Sequence, residues 1–130
     1  MKITLITGAT GGLGKAFARL YAKDGNSLLL SGTNTEKLSA MQAELQAEFP
    51  EITVDVFQAN LTDRAACKAL YAYTQEKGYF VNNLVNNAGF GISGAVEFTD
   101  VDEAKRLFDV NFFGNVIVTK AVVPHMRERG

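Results

Sequence analysis

The sequence is poor in cross-linking residues and carries almost no net charge. Its 130 residues include one cysteine, one histidine, two prolines and no tryptophan. Cys67 has no cysteine partner for a disulfide or a CxxC pair, so we expect a small helix residue there. The formal net charge is −1, which excludes the basic surface that binds nucleic acid or anionic membranes. No metal site is predicted.

Long apolar runs and a secretion signal are also missing. No apolar run approaches the roughly 20 residues that span a bilayer, and the apolar start at residues 1–8 is too short for a signal peptide. We therefore expect a cytoplasmic protein without membrane contact. With 47% hydrophobic and 21% charged residues, residues 1–130 suit one globular domain around a single core.

Short apolar runs alternate with segments of helical periodicity. Strands are predicted at 2–7, 27–31, 52–58 and 80–86, each followed by a helix, and the last helix runs from 103 to about 129. Thr35 and Thr62 are the predicted caps of the second and third helices. The apolar face of the first helix is predicted to comprise Leu13, Ala16, Phe17, Leu20 and Tyr21. Such alternation indicates an α/β fold, a doubly wound parallel sheet with helices on both faces.

A glycine-rich loop, Thr-Gly-Ala-Thr-Gly-Gly-Leu-Gly at 7–14, lies between the first strand and the first helix. Glycines there permit a tight turn, close approach of the backbone to a pyrophosphate, and packing of helix on strand. The helix N-terminus adds unpaired N–H groups that favour an anion. A turn that merely needs glycine is the alternative, and the position between strand and helix argues against it. The Gly-Lys-Ser/Thr ending of a P-loop is absent.

Two further motifs follow in order: Asn-Asn-Ala-Gly at 86–89, after the fourth strand, and Asn111 in the apolar final helix. With these motifs the chain resembles the short-chain dehydrogenase/reductase family over all 130 residues. The loop alone fits two branches of that family, through Gly8, Gly12 and Gly14 or through Gly8, Gly11 and Gly14. Asn-Asn-Ala-Gly is typical of the shorter, dehydrogenase branch and favours it.

The resemblance implies a Rossmann-type fold, a nicotinamide cofactor, and hydride transfer to or from a carbonyl or alcohol substrate. It assigns Asn87 to locking the sheet, the backbone of Ala88 and Gly89 to the cofactor ribose, and Asn111 to a water of the proton relay. A purely structural Asn111 is the alternative. The cofactor-binding residues that it implies are Gly8, Thr10, Gly12, Leu13, Gly14, Thr33, Asn34, Asn60, Leu61, Asn87, Ala88 and Gly89.

The choice between NADP and NAD depends on the end of the second strand. NAD-specific members of the family carry an acid there, where this chain has Gly32. Arginine does not follow it, but Thr33, Asn34 and Lys37 offer neutral hydrogen bonds and one charge to a 2′-phosphate. NADP is therefore the preferred cofactor and NAD the alternative. At the adenine-contacting position Asn60 replaces the usual aspartate.

The family's proton donor, a tyrosine in Tyr-x-x-x-Lys, and its serine come after the asparagine helix, where this chain ends. A Tyr-x-x-x-Lys at Tyr73 and Lys77 precedes Asn-Asn-Ala-Gly. Tyr73 lies eleven residues after Thr62, which is about 16 Å along the helix from the sheet edge that would bind the ligand. We therefore reject this pair as catalytic. His125 is predicted to be an ordinary helix-end histidine.

We therefore expect a catalytically incomplete fragment, cut after the fourth strand and its helix, of an active oxidoreductase. A non-catalytic NADP(H)-binding sensor or interaction module is the alternative, and a structural protein with a vestigial loop is a weaker one. Open sheet edges and apolar helices predict self-association of this chain. The all-round apolar final helix predicts a homo-oligomer for the complete enzyme, and the loop at 90–94 is expected to border an apolar substrate.

Overall fold

The computed structural model describes residues 1–91 and 94–130, and within them four parallel strands form one sheet flanked by helices. The strand order is β3-β2-β1-β4. The strands are β1 Lys2–Ile6, β2 Leu28–Gly32, β3 Val54–Gln58 and β4 Phe80–Val85. The helices are α1 Gly12–Lys23, α2 Thr35–Glu48, α3 Arg64–Glu76, α4 Val101–Phe108 and α5 Asn115–Arg129. The predicted α/β class and the Rossmann-type sheet are confirmed.

The central strand β2 shows why helices cover both faces. All five of its residues are buried. Leu28 and Leu30 join the core formed with α1 and α2, and Leu29 joins the core formed with α3 and α5. Because side chains alternate across a strand, one continuous apolar run supplies both cores.

The inner face of α1 differs from the predicted one. Leu13 and Leu20 are 69% and 62% exposed, and Ala16 is exposed as well. The buried residues of α1 are Gly14, Ala18 and Ala22. The prediction was wrong for Leu13, Ala16 and Leu20, whereas Phe17 and Tyr21 are partly buried and pack against the core as predicted. Gly14 is buried because α1 lies close to the preceding loop, where a Cβ on this residue would lie 2.3 Å from the Gly8 carbonyl oxygen.

Two helix starts are also corrected by one residue. The side chain of Asn34, not Thr35, caps α2 by accepting from the N–H of Lys37 at 3.0 Å. Asp63, not Thr62, caps α3 by accepting from the N–H of Ala65 at 2.9 Å. Asn and Asp are at least as good N-caps as threonine. Cys67 is fully buried in α3, in agreement with the prediction.

The predicted final helix is one helical run with an irregular centre. A π-helical segment, Asp109–Gly114, joins α4 to α5, so that residues 101–129 are continuously helical. Phe108, Phe112 and Phe113 are more than half exposed. By length and composition alone, this helix could also span a membrane. The lengths of the apolar runs in the sequence did not predict this. Its buried residues Val118 and Val122 pack into the core of α3 and β4.

Candidate functional site

All four parallel strands end at one edge of the sheet, and the loops that follow them enclose a cleft of about 580 Å³. Carboxyl ends of parallel strands are where open α/β sheets bind ligands. The described residues that line the cleft are Gly8, Thr10, Gly11, Gly12, Leu13, Ser31, Gly32, Thr33, Ala59, Asn60, Leu61, Thr62, Asn87, Ala88, Gly89, Phe90, Arg106 and Val110.

Two glycines of the loop after β1 are required by packing. Gly8 has a φ of +60°, and a Cβ there would lie 2.8 Å from the Cα of Ala88. A Cβ on Gly14 would lie 2.3 Å from the carbonyl oxygen of Gly8 and 2.7 Å from the Cα of Ala9. Gly14 therefore lies beneath the loop and lets α1 approach it, which explains why it is not among the lining residues.

The other two glycines face space rather than protein. Among the described residues, a Cβ on Gly12 would have no atom within 4 Å, and one on Gly11 would meet only the Gly8 carbonyl at 3.6 Å. Gly11 is the N-cap residue of α1 and has no side chain to satisfy the N–H groups of the first turn. The loop thus combines open volume with free backbone donors at a helix N-terminus, which fits a pyrophosphate.

Hydrogen bonds fix the loop after β4 against the glycine loop. The hydroxyl of Thr7 accepts from the N–H groups of Asn87 and Ala88 at 3.1 and 3.0 Å. The side-chain amide of Asn87 donates to the Gly8 carbonyl at 3.0 Å. Thr7 is fully buried. Asn87 thus joins the loop after β4 to the loop after β1, and its implied role in locking the sheet stays a prediction.

Asn111 lies in the π-helical segment and holds the loop after residue 89. Its Oδ1 accepts from the N–H of Phe90 at 2.9 Å, and its Nδ2 donates to the Phe90 carbonyl at 2.6 Å. The main-chain carbonyl of Asn111 accepts from the Asn115 amide at 3.1 Å. Both ends of the side-chain amide thus position Phe90, and a role of Asn111 in a proton relay stays a prediction.

Most of the predicted cofactor residues lie around this cleft. Thr33 and Asn60 line it, and Asn60 Oδ1 accepts from the N–H and the hydroxyl of Thr62 at 3.1 and 2.7 Å. Asn34 is not among the lining residues, since its Oδ1 caps α2. The predicted substrate loop falls partly outside the description, because Ile92 and Ser93 are not among the described residues.

Several lining residues were not predicted. Ala59 and Thr62 flank the predicted Asn60 and Leu61, and Ser31 lies at the end of β2 with a buried hydroxyl that has no partner among the described residues. Arg106 and Val110 come from the final helix, four residues apart and so on one helix face. The sequence would indicate Arg106 only if Val110 were already known to line the cleft, because the two residues lie one helical turn apart.

The rejected Tyr-x-x-x-Lys pair lies away from the cleft. The Tyr73 hydroxyl donates to Asp55 Oδ2 at 2.8 Å, and Lys77 lies over the Tyr73 ring at 5.5 Å. Burial, and then the hydrogen bond to Asp55, raise the pKa of Tyr73 to about 12. A proton donor near neutral pH needs a lowered pKa, so this environment agrees with the rejection.

The chain is similar to known proteins over almost its whole length. The protein-family model described as short chain dehydrogenase matches residues 2–130. The mouse (Mus musculus) protein Dehydrogenase/reductase SDR family member 7B is 33% identical over 129 residues, 98% of this chain and 40% of the relative. Sulfoacetaldehyde reductase of Chromohalobacter salexigens is 35% identical over 128 residues, 96% of this chain and 49% of the relative.

A solved structure is similar over the same extent. The short-chain dehydrogenase from Sphingobium yanoikuyae in complex with NADPH superposes with a TM-score of 0.91 at 29% identity. That match covers 99% of this chain and 50% of the other. This chain thus spans half or less of the length of these relatives. Because the family match extends over almost every residue, the chain belongs to the short-chain dehydrogenase family.

Proposed function

We propose that the chain is the cofactor-binding part of an NADP(H)-dependent oxidoreductase that acts on a small carbonyl or alcohol substrate. The observation that carries this proposal is the glycine loop. Gly8 and Gly14 are packed against protein, whereas Gly11 and Gly12 leave room beside the free N–H groups of α1. A loop needed only as a turn would not leave that space at a helix N-terminus.

The cofactor supplies the hydride donor and acceptor, and this chain's residues bind and orient it. The N-terminal turn of α1, residues 11–13, is suited to hold the pyrophosphate. We assign Thr33 and Asn60, which line the cleft, to the adenosine half, and the backbone of Ala88 and Gly89 to the ribose on the nicotinamide side. Asn111 fixes Phe90, the first residue of the loop that we expect to border the substrate.

Preference for NADP over NAD is supported by the charges near β2. The described lining residues include no acid, so nothing in them repels a 2′-phosphate. Lys37, in the first turn of α2, shares a small groove with Lys15, Arg19 and Glu44. Arg19 is paired with Glu44 and Glu48, so Lys15 and Lys37 are the cations that would favour the phosphate of NADP. The Sphingobium relative, whose complex contains NADPH, also supports this preference.

The test of this function is turnover by the protein encoded by the complete reading frame. We expect oxidation of NADPH in the presence of aldehydes or ketones, faster than with NADH, and a frame that contains a serine and Tyr-x-x-x-Lys beyond Asn111. Binding of NADPH without turnover of any carbonyl or alcohol would instead support a non-catalytic nucleotide-binding module. Binding of neither nucleotide would contradict both functions.

A further inference from the structure

Arg106 is the one charged residue among the described residues that line the cleft. It is exposed, and within residues 1–91 and 94–130 its guanidinium makes no ion pair. An arginine can be solvated anywhere on a protein surface, so the position of Arg106 in the cleft lining favours a contact with a ligand.

The helix that carries Arg106 is held firmly against the loop after β3. A Cβ on Gly114 would lie 2.7 Å from the carbonyl oxygen of Leu61, so the π-helical segment packs directly on this loop. Asn111 fixes the same segment to Phe90 through two hydrogen bonds. Val110 lies one turn after Arg106 on the same helix face and also lines the cleft. The helix that carries Arg106 is therefore fixed to two loops of the cleft, at Leu61 and at Phe90.

The wall beside Arg106 is suited to a flat, uncharged group. Leu61, Ala59 and Val110 give it an apolar character, and Asn60 adds an amide that can donate and accept. The phosphates of a dinucleotide belong at the N-terminus of α1, and its adenosine half extends toward the ends of β2 and the neighbouring β3. The adenine base is thus the part of the cofactor that would lie between this wall and Arg106.

We infer that the Arg106 guanidinium lies over the adenine base of the bound cofactor and increases affinity for NADPH and NADH alike. This inference rests on the proposed function. The guanidinium is planar and weakly hydrated, so it stacks on aromatic faces better than a lysine ammonium does. A cation over an aromatic face contributes more once water is excluded from between them.

Titration of NADPH and NADH into the wild-type protein, R106A and R106K tests this contact. We expect R106A to weaken binding of both nucleotides by the same factor, about 3- to 30-fold. R106K is expected to recover only part of the lost affinity, because an ammonium can lie over the base but lacks the planar group that stacks on it. K105A serves as the matched control, since Lys105 is exposed on the same helix but is not among the lining residues, and its affinities should equal those of the wild type.

Three results would overturn the inference. Wild-type affinity in R106A would show that Arg106 makes no contact. A loss confined to NADPH would place the guanidinium on the 2′-phosphate. Full recovery in R106K would indicate a point-charge contact with a phosphate. In each of these cases the wild-type protein still binds nucleotide, so the proposed function stands. Absence of binding by the wild type would instead overturn both.

Discussion

Single glycines of the loop after β1 have separable roles, and substitution by alanine distinguishes them. Gly14→Ala would place a Cβ 2.3 Å from the Gly8 carbonyl, and we expect it to lower the free energy of unfolding by about 1–3 kcal/mol or more. Gly12→Ala meets no atom within 4 Å and should leave stability unchanged, or raise it by up to about 1 kcal/mol. It should nevertheless weaken nucleotide binding, because the added methyl group enters the cleft. Urea unfolding and nucleotide titration of both variants measure the two effects.

Equal stability of the two variants would contradict this division. Retained nucleotide affinity in Gly12→Ala would show that the open space is not where the cofactor backbone runs.

We predict that the Thr7 hydroxyl stabilises the site by holding the loop after β4 against the glycine loop. Thr7→Val keeps the shape of the side chain but removes the acceptor of the Ala88 N–H. The Asn87 N–H loses one of its two acceptors and keeps the Val85 carbonyl at 3.0 Å. We expect a loss of about 1–3 kcal/mol in the free energy of unfolding, measured in urea. Thr7→Ser keeps the hydroxyl and is the control, and similar losses in both variants would show that the hydrogen bonds are not the cause.

At the residue scale, the sequence predicts positions whose role follows from backbone chemistry. Gly8 and Gly14 belong to this group, because the tight connection between the first strand and the first helix needs them. Asn87, after the fourth strand, was instead implied by the family resemblance. Arg106 could not be predicted, since its place in the cleft depends on how the final helix crosses the loop after β3. Asn34 shows the converse, because a polar residue near the site was predicted to bind ligand and its side-chain oxygen caps α2.

Between elements, Asp55 of β3 joins two tyrosines from other parts of the chain. Its Oδ2 accepts from the hydroxyls of Tyr73 in α3 and Tyr79 before β4, at 2.8 and 2.9 Å. Burial, and then the hydrogen bond to Asp55, raise the pKa of each tyrosine to about 12. An unfolded tyrosine ionises near pH 10, so the folded state retains these protons longer. The resulting stabilisation is complete below about pH 10 and is lost as the pH rises toward about 12.

Ultraviolet titration of tyrosine ionisation tests this arrangement. In the wild type, two tyrosines should ionise near pH 12, and Asp55→Asn should lower both pKa values, since it removes the negative charge and leaves burial in place. Glu51→Gln, at an exposed position before β3, should change neither. Unchanged ionisation in Asp55→Asn would show that the carboxylate does not hold the two hydroxyls.

The π-helical segment gives a second prediction at this scale. Asn111→Ala removes the acceptor for the Phe90 N–H, and we expect hydrogen exchange at Phe90 to become faster while exchange in the strands stays unchanged. Asn115→Ala, one turn later, is the control because its amide bonds only the Asn111 carbonyl. Equal protection of Phe90 in the wild type and Asn111→Ala would contradict the positioning role.

Element boundaries and order were largely predictable, because strand and helix periodicities differ along the whole chain. The inner face of α1 was predicted only in part. Periodicity identifies a repeated apolar stripe, and here Leu13, Ala16 and Leu20 of that stripe are exposed while Gly14, Ala18 and Ala22 are buried. The burial of Gly14 follows from its packing against the Gly8 carbonyl, which is a tertiary contact that no local pattern contains. The π-helical segment was missed for a similar reason, since its residues also fit an ordinary helix.

The whole molecule exposes an apolar surface along its final helix. Phe108, Phe112 and Phe113 are 58%, 56% and 52% exposed, and β4 is an edge strand of the described sheet. Such surfaces favour association, so we expect the 130-residue chain to self-associate in sedimentation analysis. Phe112→Asp should shift it toward monomer. Leu20→Asp, which places the same charge at an exposed leucine of α1, should not, and a monomeric wild type would contradict the prediction.

The central claim is that the cleft above the glycine loop binds a nicotinamide dinucleotide, with NADP preferred. Calorimetric titration of NADPH and NADH into the wild-type protein and Gly12→Ala tests it most directly. We predict binding of one nucleotide per chain, tighter for NADPH than for NADH, and weaker for both in Gly12→Ala. Tighter binding of NADH would contradict the cofactor preference, and no binding of either nucleotide would contradict the claim itself.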